Sequence, residues 1–357
     1  MKSRTWVWTL VVCLFTALAT PVWTGAQDNQ SNNKHQKYAA DKRPGPSRGT
    51  TWADKQSPAR AIDTSVNDRS RHVRYTVTEI GVVPGEQYSF LPVSRSINNS
   101  GALAGYSFNL IGDFFLTAVA FTWEHDVLQP LPLLSGWPGA FAFGLNDNGL
   151  VFGVANNVDE FGDIFQTPVL WNQGRPTNLG IPGGYSTAAA LDINNRGQVA
   201  GYAFNFDTGE QNGFIWYQGQ TTQLPLLPGA INGLAQGIND RGEIAGYMDF
   251  GDFPPPGTGE LHSVLWTPRG RGYLVLDLGG FAGYFSSSAS FINNRGQVVG
   301  SSDNAAGITD AYLWTGGPLQ DLGRLPGGTF STATFDNQHV QILGEGDRAD
   351  GNVVIFL

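Results

Sequence analysis

The chain has 357 residues, 41% of them hydrophobic and 14% charged, with a formal net charge of −9 and one cysteine. That charge is unevenly divided: residues 27–71 hold nine Lys or Arg against five acids, whereas residues 75–357 hold nine Arg, no Lys and 25 acids. So acidic a body disfavours nucleic acid and anionic membranes as partners, and Cys13, alone in an N-terminal apolar run, leaves the rest of the chain without disulfides, cysteine zinc sites or cysteine nucleophiles.

In chain order, Lys2 and Arg4 precede an apolar run of about 14 residues over 6–19, and small residues follow up to Ala26. This succession predicts a signal peptide over residues 1–26, cut after Ala26 or Ala19. The run is shorter than the roughly 20 residues that span a bilayer. The expected product is therefore secreted, extracellular or periplasmic, with no membrane attachment after cleavage. Residues 27–73 are rich in Gln, Asn, Ser, Lys, Arg and Pro and poor in large apolar side chains. That composition predicts a disordered linker, the functional alternative being a basic tether to an acidic wall polymer.

Residues 74–357 repeat themselves. SINNSGALAGYSF at Ser96 returns as GLNDNGLVFGVAN at Gly144, DINNRGQVAGYAF at Asp192, GINDRGEIAGYMD at Gly237 and FINNRGQVVGSSD at Phe291, with a degenerate sixth copy at Phe335. The first Asn of each full copy is Asn98, Asn146, Asn194, Asn239 or Asn293, and the steps between copies are 48, 48, 45 and 54 residues. Trp123, Trp171, Trp216, Trp266 and Trp314 keep nearly the same period, and each is followed by an LPLL-type or DLG-type segment. Each unit therefore holds four strand signals with turn residues between them. In the best copy the strands are expected at 187–193, 198–204, 213–216 and 222–227, and the small residues of the first suit the strand nearest an axis. Four antiparallel strands at this period predict an all-β fold, a six-bladed β-propeller. Trp at the end of strand three is expected to pack between neighbouring blades, with Trp216 as a core residue.

Residues 75–84 (YTVTEIGVVP) look like a lone fourth strand, and residues 351–357 like a third strand with no fourth following. The expectation is that the N-terminal strand completes the last blade, pairing residues near 78 with residues near 355 and leaving no exposed sheet edge.

At these residues the chain resembles the HAF repeat family of extracellular bacterial proteins. Its unit runs through a small-residue strand, IN-x-x-G-x-V-x-G, AF-L-W, DLG and a Gly-rich loop. Residues 192–201, 311–314 and 321–328 carry the close matches, and the resemblance spans about four fifths of the chain. The His-Ala-Phe triplet is not intact here, its nearest pieces being Ala120-Phe121 and His262. The resemblance implies an extracellular repeat protein without a defined activity. The sorting segment of some members has no counterpart, which implies release rather than anchoring.

Antiparallel counting puts the IN-x-x-G turns and the turns after Trp on one face. The loops between strands two and three share the other face with the inter-repeat connections, and they vary most in length, as variable binding loops on a rigid scaffold do. Near the start of strand one lie Tyr88, Trp137, Tyr185, Tyr284 and Phe330, candidate aromatics for stacking on sugar faces, or equally for packing over a channel mouth. The loops also gather acids: Asp159, Glu160 and Asp163; Asp207 and Glu210; Asp249 and Asp252; Asp303 and Asp310. Clustered carboxylates can hold Ca²⁺ and paired ones can hydrolyse glycosides, but nothing fixes their spacing. In 192–197, Arg196 stands where a calcium loop needs an oxygen ligand, so the segment reads as a hairpin turn. No nucleophile-elbow, zinc-protease or phosphate-loop pattern occurs, and neither catalytic nor metal residues are assigned. The leading expectation is a binding module for an extracellular glycan or protein. A glycan-acting hydrolase or lyase using loop carboxylates and a structural matrix component are the alternatives. Nothing in the sequence sets an oligomeric state.

Overall fold

A computed structural model describes residues 78–92, 95–111, 114–158, 164–253, 258–304, 306–337 and 341–357. The predicted signal peptide and linker lie outside these residues, as do the loop acids Asp159, Glu160 and Asp163. Residues 81–357 form one compact unit; residues 78–80, the described part of a second, carry no strand.

The unit is all β, six antiparallel sheets in chain order. The first holds β1 (Tyr88–Phe90), β2 (Leu103–Ile111), β3 (Phe114–Glu124) and β4 (Val127–Pro130), and the second β5 (Gly139–Leu145), β6 (Val151–Val158), β7 (Ile164–Asn172) and β8 (Arg175–Asn178). The third holds β9 (Thr187–Ile193), β10 (Val199–Phe204), β11 (Gln211–Tyr217) and β12 (Gln220–Gln223), and the fourth β13 (Asn232–Ile238), β14 (Ile244–Phe253), β15 (Thr258–Arg269) and β16 (Gly272–Gly279). The fifth holds β17 (Tyr284–Ile292), β18 (Val298–Asn304), β19 (Thr309–Trp314) and β20 (Gln320–Asp321), and the sixth β21 (Ser331–Asp336), β22 (Ile342–Asp347) and β23 (Val353–Phe356). Each sheet is a meander in sequence order, five with four strands and the sixth with three. This is a propeller-like succession of repeats. The pairing of residues near 78 with residues near 355 is not seen: β23 is the outer strand of its sheet.

The repeated residues explain the repeated elements. In the third repeat, Asn194 Oδ1 accepts the backbone N–H groups of Arg196 and Gln198, both at 3.0 Å, while Gly197 supplies the positive φ of 76° that closes the turn. The second glycine of the motif is required by crowding, since a Cβ on Gly201 would lie 2.0 Å from the Ala189 carbonyl oxygen. After the Trp, Gln218 and Gly219 both take positive φ, as a two-residue hairpin turn demands. The fourth strand begins and ends earlier than expected, at Gln220–Gln223 rather than 222–227. Pro225 cannot donate to a ladder, and its carbonyl is instead turned toward the next repeat.

The core lies between neighbouring sheets rather than in one central mass. Trp171 and Trp266 are fully buried, and their indole N–H groups donate to the carbonyls of Pro132 and Pro225 in the preceding repeats, both at 2.9 Å. Trp216 and Trp314 pack against equivalent inter-sheet clusters but stay partly exposed, as does Trp123. Trp216, expected to pack between neighbouring blades as a core residue, packs on inter-sheet clusters while staying partly exposed. Its predecessor repeat ends in NLGIPGG rather than the LPLL segment that wraps Trp171 and Trp266.

Candidate functional site

The IN-x-x-G face is a hydrogen-bonded frame. The side-chain amide of each first Asn donates to the backbone carbonyl of the corresponding Asn one repeat ahead: Asn98 to Asn146 at 3.2 Å, Asn146 to Asn194 at 2.9 Å, Asn194 to Asn239 at 2.9 Å, Asn239 to Asn293 at 3.0 Å and Asn293 to Asn337 at 3.3 Å. Asn146, Asn194, Asn239 and Asn293 are buried. Asn therefore does two jobs, its oxygen closing its own turn and its nitrogen joining the next repeat. The following residues form an outer band in which amides alternate with carboxylates, Asn99, Asp147 and Asn294 being exposed and Asn195 and Asp240 half-buried. Asp147 accepts from the Asn99 and Asn195 side chains, and Asp240 from those of Asn195 and Asn294. Alternation suits the chemistry, since a carboxylate only accepts and an amide can donate.

In repeats two to six, the first strand carries a β-bulge that leaves Phe143, Leu191, Gln236, Ser290 and Thr334 out of register. The residue at that position in the first repeat is Arg95. Its guanidinium pairs with buried Asp192, donates to the Ile238 carbonyl at 2.9 Å and lies 5.7 Å from the Phe291 ring centre. One side chain thus ties the first repeat to the third, fourth and fifth.

The last repeat departs from this pattern. Where earlier repeats place Ile97, Leu145, Ile193, Ile238 and Ile292, it has Asp336, which is 1% exposed. Its Oδ2 accepts from Asn293 at 2.6 Å, and its Oδ1 is buried without a side-chain partner among the described residues. Burial, outweighing that hydrogen bond, pushes its pKa up to about 7.

The opposite, loop face carries the chemistry that differs between repeats, centred on the residue four before each Trp: Val119, Thr167, Asn212, His262 and Asp310. His262 lies between two carboxylates, Nδ1 at 2.8 Å from Asp277 and Nε2 at 3.1 Å from Glu260, with its ring 4.5 Å from that of Phe250. Burial pulls its pKa down, but the Asp277 and Glu260 hydrogen bonds prevail and raise it. With both ring nitrogens engaged by carboxylates, the arrangement favours the protonated ring and holds it in place. In the next repeat, buried Asp310 accepts the Tyr284 hydroxyl on one oxygen and meets Arg324 Nε at 2.7 Å on the other. The hydrogen bond to Asp310 raises the Tyr284 pKa.

The five aromatics expected on this face lie at the starts of the first strands, each engaged with its own surroundings. Tyr88 stacks on Phe108 at 5.5 Å, Trp137 packs on the cluster between the first two repeats, and Tyr185 packs beside Ala188 and Phe214 and hydrogen-bonds Asn212. Tyr284 sits edge-on to Phe281 at 5.5 Å, and the Phe330 backbone brackets Asp347. None of the five is in ring contact with another among the described residues. The described loop acids Asp249, Asp303 and Asp310 are each engaged by different neighbours. Asp310 pairs in register with Ser302, so Asp303, one residue on, projects from the other side of the sheet and accepts from Thr309. Asp249 accepts from Asn232. Among the described residues no group of three His, Cys, Asp or Glu is placed to hold a metal ion. The sequence marks Asp310 as a loop acid and Tyr284 as a loop-face aromatic but does not show that they meet, and it does not show the His262 cluster. The signal that could have found them is the fixed offset from Trp, at which the residue type changes from repeat to repeat.

No protein-family model and no curated protein matches the chain. Among solved structures, one from an analysis of two prolyl endopeptidases is similar, with a TM-score of 0.52 at 12% identity over 80% of this chain and 45% of that one. The chain thus spans less than half the length of that enzyme. A Penicillium chrysogenum α-L-arabinanase complexed with arabinobiose gives 0.43 at 7% identity over 78% and 94% of the two chains. A gluconolactonase from Xanthomonas campestris gives 0.36 at 13% over 72% and 84%. The likeness to the endopeptidase is one of fold alone.

Proposed function

We propose that the protein is a secreted, closed six-bladed propeller of the HAF repeat type that binds an extracellular glycan or protein through its loop face. Closure is supported by the single open edge of the sixth sheet, where β23 exposes Val353 and Ile355, with Leu357 after them. It is also supported by Gly81, whose carbonyl accepts the Ser89 hydroxyl at 2.7 Å as Gly279 accepts Ser287 at 2.6 Å and Gly323 accepts Ser331 at 2.7 Å. Gly279 is the last residue of the fourth strand β16, and Gly323 follows the fourth strand β20 by two residues. By the same register, residues 78 and 79 would complete the sixth sheet, opposite Leu357 and Phe356.

One observation carries the binding assignment: the Asn side chains of the turn face are spent joining repeats, while the residue four before each Trp on the loop face differs from repeat to repeat, with His262 and Asp310 bonding within their own repeat or the adjoining connection. A glycan-acting hydrolase needs two facing carboxylates, and the described loop acids Asp249, Asp303 and Asp310 are each engaged by other partners. The test is a glycan array with an extracellular-protein pull-down, run on the unaltered protein and on folded variants carrying bulky changes on either face. Loss of capture from loop-face changes alone supports the proposal; equal loss from both faces, or no capture at all, refutes it.

A further inference from the structure

Resting on the loop-face assignment, we infer that the connection between the fifth and sixth repeats is a subsite for the carboxylate of an acidic sugar, with Arg324 as its anchor. Of the nine arginines beyond residue 75, six lie on the turn face, at 175, 196, 241, 269, 271 and 295, and Arg95 is paired with Asp192. Only Arg324 and Arg348 stand on the loop face, and both belong to the same corner of it. Leu325 and Pro326, directly after Arg324, line a shallow hollow of about 470 Å³ together with Arg348, Ala349 and Asp350.

Arg324 is oriented rather than loose. Its side chain is 33% exposed, and buried Asp310 holds it through Nε while Tyr284 occupies the other carboxylate oxygen. Holding the guanidinium by Nε leaves its two terminal nitrogens for a second, bidentate partner, and a carboxylate matches that fork. Asp350 lies close enough to feel the charge of Arg348, but its carboxylate hydrogen-bonds to Asn352, accepting the backbone N–H at 3.0 Å and the side-chain amide at 2.8 Å. Arg348 forms no ion pair among the described residues. Beside the two cations lie the apolar surfaces of Leu325 and Pro326 and the ring of Tyr284. A charged fork flanked by apolar and aromatic surface suits a ring with one polar edge and one apolar face, which is the form of a uronate sugar. An acidic peptide would use the fork but not the flanking surface. In the other repeats the residue after the corresponding glycine is Val82, Ile181 or Gly280, so this arginine belongs to one corner and not to the frame.

The test is calorimetric titration of the full chain with an α-1,4-linked galacturonate hexamer at low salt, beside its methyl ester and poly-L-glutamate. The expected result is binding of the hexamer, at least tenfold weaker binding of the ester, and weakening by added salt. The double variant Arg324→Gln, Asp310→Asn removes the anchor while keeping the buried pair neutral, and its fold is checked by its melting curve. It should lose at least tenfold in affinity, and Arg348→Gln a smaller amount. The inference is overturned if the hexamer does not bind, if the folded double variant binds it equally, or if the ester or poly-L-glutamate binds as well. Should the array identify a neutral glycan or a protein lost on loop-face changes but indifferent to Arg324, this subsite falls while loop-face binding stands.

Discussion

The two faces of the array solve different problems with the same repeat. On the turn face the residue at a given offset hardly changes, because Asn146, Asn194 and Asn239 each bond to their own turn and to the next repeat, and a replacement would disturb two repeats at once. On the loop face the residue four before Trp runs from Val119 to Asp310, and its partners lie in its own repeat or the adjoining connection. Sameness therefore marks where repeats are joined, and difference marks where each is free to acquire chemistry.

The largest expected effect that sharpens this contrast is in the inter-repeat cores. Trp266→Ala should cost about 3–5 kcal/mol in a urea titration, from lost burial and the cavity left behind, and Trp216→Ala, being partly exposed, distinctly less. Equal costs would mean that the wrapping Pro225 segment contributes nothing. Next, Asn194→Ala should cost roughly 2–3 kcal/mol, since it leaves buried backbone groups unpaired in two repeats, whereas Asn98→Ala, at the exposed end of the ladder, should cost about 1 kcal/mol. A flat series along the ladder would break the claim that inter-repeat bonding fixes the motif.

Asp336 gives an effect of opposite sign. Its folded pKa of about 7 lies above the unfolded value of about 3.9. Its contribution is therefore fully present below pH ~4 and lost as pH rises through about 7, where ionisation must occur in a buried site. Asp336→Asn should stabilise the protein at pH 8 by about 1–2 kcal/mol and flatten the fall in melting temperature between pH 5 and 8. An unchanged slope would show that another group sets it. Smallest of all, Glu260→Gln on the loop face should change stability by less than about 0.5 kcal/mol, as exposed ion pairs do; a larger loss would make the His262 cluster part of the frame.

The periods legible in the sequence were those set by local chemistry. Thr187–Ile193 is the first strand of its repeat as expected from its small residues, and the IN-x-x-G turns follow from Asn and Gly alone. The second role of Asn was hidden because its amide partner lies 45 to 54 residues ahead in three of the buried links. Arg95 reads as an ordinary loop arginine until the fold brings it beside Asp192, Ile238 and Phe291 of three later repeats. On the loop face, Tyr284 was marked as a sugar-stacking ring, yet its use of Asp310 depends on two strands meeting 26 residues apart. Arg324, three residues past Asp321, drew no notice because a single arginine after DLG has no pattern to break until the repeats are laid over one another.

Closure of the array can be tested most directly by a disulfide, because Cys13 is the chain's one cysteine and lies in the predicted signal peptide. Opposed antiparallel residues stand within the 4.4–6.8 Å Cα separation that a disulfide accepts. In the double variant Thr78→Cys, Leu357→Cys of the secreted chain, oxidation should give a monomeric, intramolecular disulfide in high yield, located by peptide mapping. Free thiols at both positions after oxidation, or only crosslinked dimers, would contradict the closed propeller.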